Sequence, residues 1–220
     1  MAKTRSYKLL CPIARALDRI GDRWTLLILR DLHAGPARFI ELQRGLTGIA
    51  ANLLTDRLAK LIEDGLARKA DGGHGASVYE LTNLGKQTSD IILDLAMFGA
   101  RFEPEGEVAP PGNLRTVATT MGAAARRVAT PDMSFDADIV VDGEQMHLRV
   151  RGVDVEMRYA EARDPDLVFS TSYPALLAVT ERDMDPNVFM SAHSNLKILS
   201  PGKEAEFMAL MAGIVGLMRE

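Results

Sequence analysis

This chain of 220 residues has little of what covalent or metal chemistry usually needs. It carries one cysteine, Cys11, one tryptophan, Trp24, and 5% aromatic residues. A single cysteine permits no internal disulfide and agrees with a reducing compartment. Four histidines, His33, His74, His147 and His193, lie apart without metal-ligand spacing, so no metal site is expected. There is no Gly-x-Ser-x-Gly elbow, phosphate-cradling Gly-Lys loop or dinucleotide fingerprint, so neither catalytic residues nor a cofactor are expected and the chain does not read as an enzyme. No apolar run approaches the ~20 residues of a membrane helix, and the opening MAKTRSYK lacks the apolar segment of a signal peptide. A cytoplasmic protein with no membrane partner is expected.

What remains is a composition with 47% hydrophobic and 25% charged residues, enough for one large domain or two modest ones. The net charge of −4 divides unevenly. Residues 1–103 hold 15 Lys/Arg against 12 Asp/Glu, while residues 104–220 hold 11 against 18. A basic half joined to an acidic half fits one part that meets phosphate and one that does not.

The most informative stretch is 47–66, TGIAANLLTDRLAKLIEDGL. Leu54, Leu58, Leu61 and Ile62 recur at three- and four-residue steps and predict one buried helical face; Asn52, Asp56, Ala59 and Glu63 fall opposite. Thr47 and Gly48 suit a turn before the helix, and Gly65 suits a left-handed C-terminal cap. Upstream, residues 38–44 (RFIELQR) predict a short helix with Phe39 and Leu42 turned inward, and residues 45–48 form a connection of helix-turn-helix length. Downstream, residues 66–69 and 77–81 flank the turn-rich DGGHG and predict a hairpin, the wing of a winged helix. A leucine-striped helix alone is also an ordinary core helix. The ordered combination is more specific.

The runs CPIARALDRIGDRWTLLILRDL, RFIELQRGLTGIAANLLTDRLAKLIEDGLARK and VYELTNLGK resemble the HxlR-type, MarR-related family of bacterial winged helix-turn-helix transcriptional regulators over residues 7–102. Cys11-Pro12, Trp24, Phe39-x-Glu41-Leu42, Leu54-Thr55-x-Arg57-Leu58 and Tyr79-x-Leu81-Thr82-x-x-Gly85 carry the likeness. It implies double-stranded DNA as partner and residues 50–64 as the recognition helix. Arg38, Arg57, Lys60, Arg68 and Lys69 are then candidates for phosphate contacts, with His74 at the wing tip reaching a minor groove. Asn52, Thr55 and Asp56 are candidates for base edges. Arg57 has a rival role as an ion-pair partner of Glu63 or Asp64. Lys3, Arg5 and Lys8 in the N-terminal arm read equally as backbone-tracking cations or a solvated tail.

Residues 12–20 predict a helix with Pro12 in its first turn and Ile13, Leu17 and Ile20 on its apolar face. A second, densely apolar helix follows over 23–32. The resemblance makes Cys11 a possible redox switch; the alternative is a cysteine that only fills space. Residues 83–102 predict one long helix with Leu84, Ile91, Ile92, Leu95 and Phe98 available for burial. In the resembling family such helices build a two-fold dimer, so a homodimer on a pseudo-palindromic operator is expected.

Residues 104–112 (PEGEVAPPG) mark a linker, giving 1–103 as a DNA-binding and dimerisation domain and 113–220 as a second domain. In the latter, Asn113 is placed to cap a helix reaching 128. Met146, Leu148 and Val150 then alternate with Gln145, His147, Arg149 and Arg151 as in a half-buried strand. The order of strand, helix, helix, edge strand and closing helix over 166–219, with PALLAVTERDMDPNVFMSAHSNLKILSPGKEAEFMALM, resembles a sterol-carrier-protein-like domain, an antiparallel-rich sheet with covering helices. The fold class is therefore α+β. The resemblance implies an apolar tunnel and a hydrophobic small-molecule partner. Nine of eleven methionines lie beyond residue 103, and Met157, Phe169, Met184, Phe189, Met190, Met208 and Met211 are the candidate lining, with ordinary core filling as the alternative. A lipid or acyl carrier whose N-terminal half only dimerises it is the competing reading of the whole chain.

Overall fold

The computed structural model describes residues 6–73, 75–104, 106, 108–161 and 164–220. Lys3 and Arg5 of the N-terminal arm, and His74, an expected DNA contact, lie outside the described residues. Two compact units emerge, Met1–Thr88 with Ala109–Gly112, and Ser89–Val108 with Asn113–Glu220.

The first unit runs α1 (Pro12–Ile20), α2 (Thr25–His33), α3 (Phe39–Gly45), α4 (Ala51–Glu63), β1 (Ala67–Asp71), β2 (Ser77–Leu81) and the single turn α5 (Asn83–Lys86). Leu54, Leu58 and Leu61 of α4 are buried with Ile28, Leu29 and Leu32 of α2 and Leu42 of α3. Each such side chain taken from water contributes about 1.5–3 kcal/mol, enough to hold helices too short to persist alone. Gly48 between α3 and α4 has φ +90° and Gly65 after α4 has φ +71°, so both turns need left-handed backbone. The hairpin pairs Ala67 with Leu81 through Asp71 with Ser77, and Ala37 bridges to Tyr79 as a short third strand. This is a winged helix-turn-helix.

Three expectations in this unit change. Ile62, at 36% exposure, faces solvent because it sits at the margin of the buried stripe, outside the Leu54, Leu58 and Leu61 row. On α1 the covered residues are Ala14 and Ile20, while Ile13 at 71% and Leu17 at 45% point outward. The helix expected over 83–102 is broken. Thr82 caps α5 by accepting from the Gly85 N–H at 3.1 Å, the Thr88 hydroxyl donates to the Gly85 carbonyl at 2.7 Å, and a new helix α6 (Ser89–Gly99) starts afterwards. Local hydroxyl bonds thus compete with the continuous helix.

The second unit comprises α6, α7 (Arg115–Val128), β3 (Ser134–Val141), β4 (Glu144–Arg151), β5 (Asp154–Arg158), β6 (Leu167–Thr171), α8 (Tyr173–Thr180), α9 (Pro186–Ala192), β7 (Ser194–Ile198) and α10 (Glu204–Met218). The sheet order is β5-β4-β3-β6-β7, antiparallel except for the parallel pair β3 and β6. Met146, Leu148 and Val150 are fully buried, as strict alternation in β4 requires. Asn113 accepts from the Arg115 N–H at 3.2 Å, and Asp185 accepts from the Asn187 N–H at 2.8 Å, each opening a helix. The core is aromatic. Phe207 of α10 lies 5.9 Å from Phe135 and 5.5 Å from Phe169, and Phe169 lies 6.1 Å from Phe189, ring centre to ring centre. The result is a mixed α+β unit built on one sheet.

Candidate nucleic-acid interface and apolar cleft

Helix α4 presents Asn52, Thr55, Asp56 and Ala59 to solvent, opposite its buried leucines. All three residues expected at base edges are therefore accessible on one side of one helix. The Thr55 hydroxyl donates to its own helix at the Ala51 carbonyl, 2.9 Å away, which leaves its oxygen lone pairs and methyl group for an outside partner.

The cations divide into held and available ones. Arg57 is half-buried and donates to Asp22 at 2.7 Å, so its ion-pair role is realised, with Asp22 and not with Glu63 or Asp64. Asp22 also accepts from the Trp24 N–H at 2.9 Å. Burial pushes the Asp22 carboxyl up, but the Arg57 hydrogen bond and the Trp24 N–H outweigh it and hold it below its ordinary value. Lys60 reaches Glu63 at 2.9 Å and Asp64 at 3.0 Å, and hydrogen bonds to these two carboxylates raise its pKa. Asp64 is shared with Arg19 at 2.7 Å. Arg68 pairs with Glu80 across the hairpin at 2.7 Å, and the Lys69 ammonium lies 5.6 Å from the centre of the Tyr79 ring.

Arg38 and Arg44, at opposite ends of α3, are exposed and enter no ion pair among the described residues. The Arg38 N–H is anchored on the Glu41 carboxylate at 2.6 Å, which fixes the start of α3. Arg44 was not among the expected contacts; its place in the last turn of α3, next to the helix-turn-helix connection, was the available signal. Cys11 precedes α1 and is exposed in the single chain.

In the second unit, the expected pocket residues separate. Phe169 and Phe189 belong to the aromatic core and are fully buried there. Met157 is buried against α7; a Cβ added at Gly122 would come within 2.8 Å of the Met157 Cβ. Met184, Met190 and Met208 are partly exposed and do not line the cavity. Only Met211 does. The cavity, about 410 Å³, lies among α6, α7, α8 and α10, with Ala96, Ala100, Met121, Leu176 and Ile214 on its walls. The signal missed in the sequence is Ala96, Gly99 and Ala100, small residues on one side of α6 that leave room beside it.

With this geometry in view, the comparisons with known proteins are consistent. The HxlR-like helix-turn-helix family matches residues 19–107. The chain is 38% identical over 88 residues to the HTH-type transcriptional regulator YtfH of Escherichia coli, covering 39% of this chain and 70% of that one. It is 33% identical over 107 residues to an HTH-type regulator of Methanothermobacter thermautotrophicus, covering 46% of this chain and 82% of that one. An HTH-type regulator of Mycobacterium tuberculosis is 38% identical over 105 residues, 47% of this chain, and the chain spans 65% of its length. Among solved structures, the redox regulator HypR in its oxidized form shares 27% identity, with 43% of this chain and 99% of that one covered at a TM-score of 0.41. This chain belongs to the HxlR-like helix-turn-helix family.

Proposed function

We propose that the protein is a DNA-binding transcriptional regulator that acts in the cytoplasm as a homodimer on a pseudo-palindromic operator. The observation that carries this reading is the accessible polar side of α4, with Asn52, Thr55 and Asp56 together on a helix whose other side is locked into a winged scaffold. Base contacts come from these three, and phosphate contacts from Arg38, Arg44, Lys69 and His74, with Lys60 and Arg68 exchanging intramolecular carboxylates for phosphate. Arg57 positions α4 through Asp22.

Dimerisation is supported by apolar side chains without cover among the described residues. Leu10 is 95% exposed ahead of α1, and Ile91, Leu95 and Phe98 stand out from α6. We assign residues 1–103 to DNA binding and dimerisation, 104–112 to a linker and 113–220 to a sterol-carrier-protein-like module that admits a hydrophobic effector. The element order and the apolar cleft support that module. Cys11, exposed at the start of α1, stands as a redox-responsive position for an oxidant or electrophile.

The test is fluorescence anisotropy of the full chain against DNA fragments enriched from a random pool, at several salt concentrations. A regulator gives sequence-selective affinity that falls steeply with salt. No selective binding at any salt would overturn the reading in favour of a carrier.

A further inference from the structure

The apolar cleft of the second unit carries a polarity that narrows its ligand. Its walls include Thr120 and Thr180, and both hydroxyl protons are already spent on their own helices. Thr120 donates to the Thr116 carbonyl at 3.0 Å and Thr180 to the Leu176 carbonyl at 2.9 Å. What these hydroxyls still offer is oxygen lone pairs, so a ligand here meets acceptors. Glu181 also lines the cleft and adds a carboxylate. Burial, and the neighbouring charges of Asp183 and Glu103, push the Glu181 carboxyl above its ordinary value.

No lining side chain among the described residues is positively charged. Arg101 and Arg182, adjacent in sequence to lining residues, both donate instead to the main-chain carbonyl of Glu220, at 3.1 and 3.4 Å. Two aromatic side chains, Phe102 and Tyr173, also line the wall. An anionic lipid head would meet the Glu181 carboxylate, and no ammonium or guanidinium lines the cleft among the described residues. A cation would find the reverse.

We propose that the cleft among α6, α7, α8 and α10 binds a lipophilic cation, its apolar body between Ala100, Met121 and Ile214 and its charge beside Glu181 and the two rings. A volume near 410 Å³ with mostly apolar walls and a few convergent polar groups lies within the range of small-molecule sites. Helix α6 supplies one wall and begins at Ser89, directly after the winged-helix unit ends at Thr88, so an occupant braces the segment through which the chain leaves that unit. The proposal rests on reading the second unit as a ligand-binding module. It replaces an unspecified hydrophobic effector with a charged class.

Isothermal titration of the full chain, without DNA, against tetraphenylphosphonium, dodecanoate and dodecanol tests it. Tetraphenylphosphonium is expected to bind once per chain and to outcompete both dodecyl compounds. Glu181→Gln is expected to weaken it about fivefold, the upper end for a partly exposed charge pair. Ala100→Trp, which fills the cleft from an exposed helix end, is expected to abolish binding with circular dichroism and melting temperature unchanged. Unaltered affinity in either variant would overturn the assignment. If dodecanoate or dodecanol binds in a manner lost in Ala100→Trp while tetraphenylphosphonium does not, the cationic class is wrong and the binding-module reading survives. If none of the three binds, both fail.

Discussion

Arg57 of α4 holds Asp22, just before α2, at a nitrogen-to-oxygen distance of 2.7 Å. That one pair ties α4, which bears the residues proposed to read bases, to the start of the scaffold helix α2. It also holds within the protein a cation that position alone places among the candidate phosphate contacts.

Asp22→Ala should lower unfolding free energy by about 1–2 kcal/mol, because it removes both the Arg57 pair and the acceptor for the Trp24 N–H that opens α2. Chemical denaturation measures it. The folded-state pKa of Asp22 lies below its ordinary value of 3.8, so this contribution is present above that value and is lost as pH falls through the depressed one. The difference between wild type and variant should accordingly be constant near neutrality and shrink only below about pH 4.

Arg38→Ala and Lys60→Ala should differ in anisotropy titrations. Arg38 starts without an ion pair among the described residues, so its loss should weaken all sequences alike and reduce the salt slope by about one. Lys60 must first leave Glu63 and Asp64, so its loss should cost less. Asn52→Ala should instead relax preference at particular base pairs, by about 1–3 kcal/mol of discrimination. A uniform effect of Asn52→Ala would remove it from the base-reading set.

Gly85→Ala should destabilise the winged-helix unit severely. The added Cβ would stand 2.0 Å from the Leu66 carbonyl oxygen, a main-chain atom that cannot step aside. A loss of about 2–4 kcal/mol in thermal or denaturant unfolding is expected, as for other overpacked sites.

Leu95→Glu should shift the protein from dimer to monomer in size-exclusion chromatography with light scattering, and should lower operator affinity with it. Leu95 is exposed on α6 and is not among the residues that line the cleft, so a folding defect is not anticipated. An unchanged dimer would move the interface away from α6.

Phe169→Ala should cost about 3–5 kcal/mol, since the ring is fully buried between Phe189 and Phe207. Binding of any apolar probe by the residual folded fraction should be unaltered. Altered affinity would put Phe169 in contact with the ligand after all.

Much of this was legible in the chain. The period of Leu54, Leu58 and Leu61 set the buried side of α4 and so exposed Asn52, Thr55 and Asp56. Gly48 and Gly65 announced turns that only glycine adopts cheaply. The alternation in β4 and the Pro186 start of α9 were equally local, because one residue's backbone preference and its side-chain period decide them without reference to distant residues.

What tertiary structure alone decided is which partners meet. A sequence states that Arg57 can pair and that Phe169 is apolar; it does not state that Asp22, 35 positions away, supplies the carboxylate, or that Phe169 packs in one aromatic cluster with Phe135, Phe189 and Phe207. The same holds for α6, whose small residues open a cleft only because α7, α8 and α10 come to stand around it. Local periodicity fixes which side of an element is apolar. Long-range packing fixes whether that side meets a neighbour, a void or water, since close-packed interiors depend on how chain segments remote in sequence fit together.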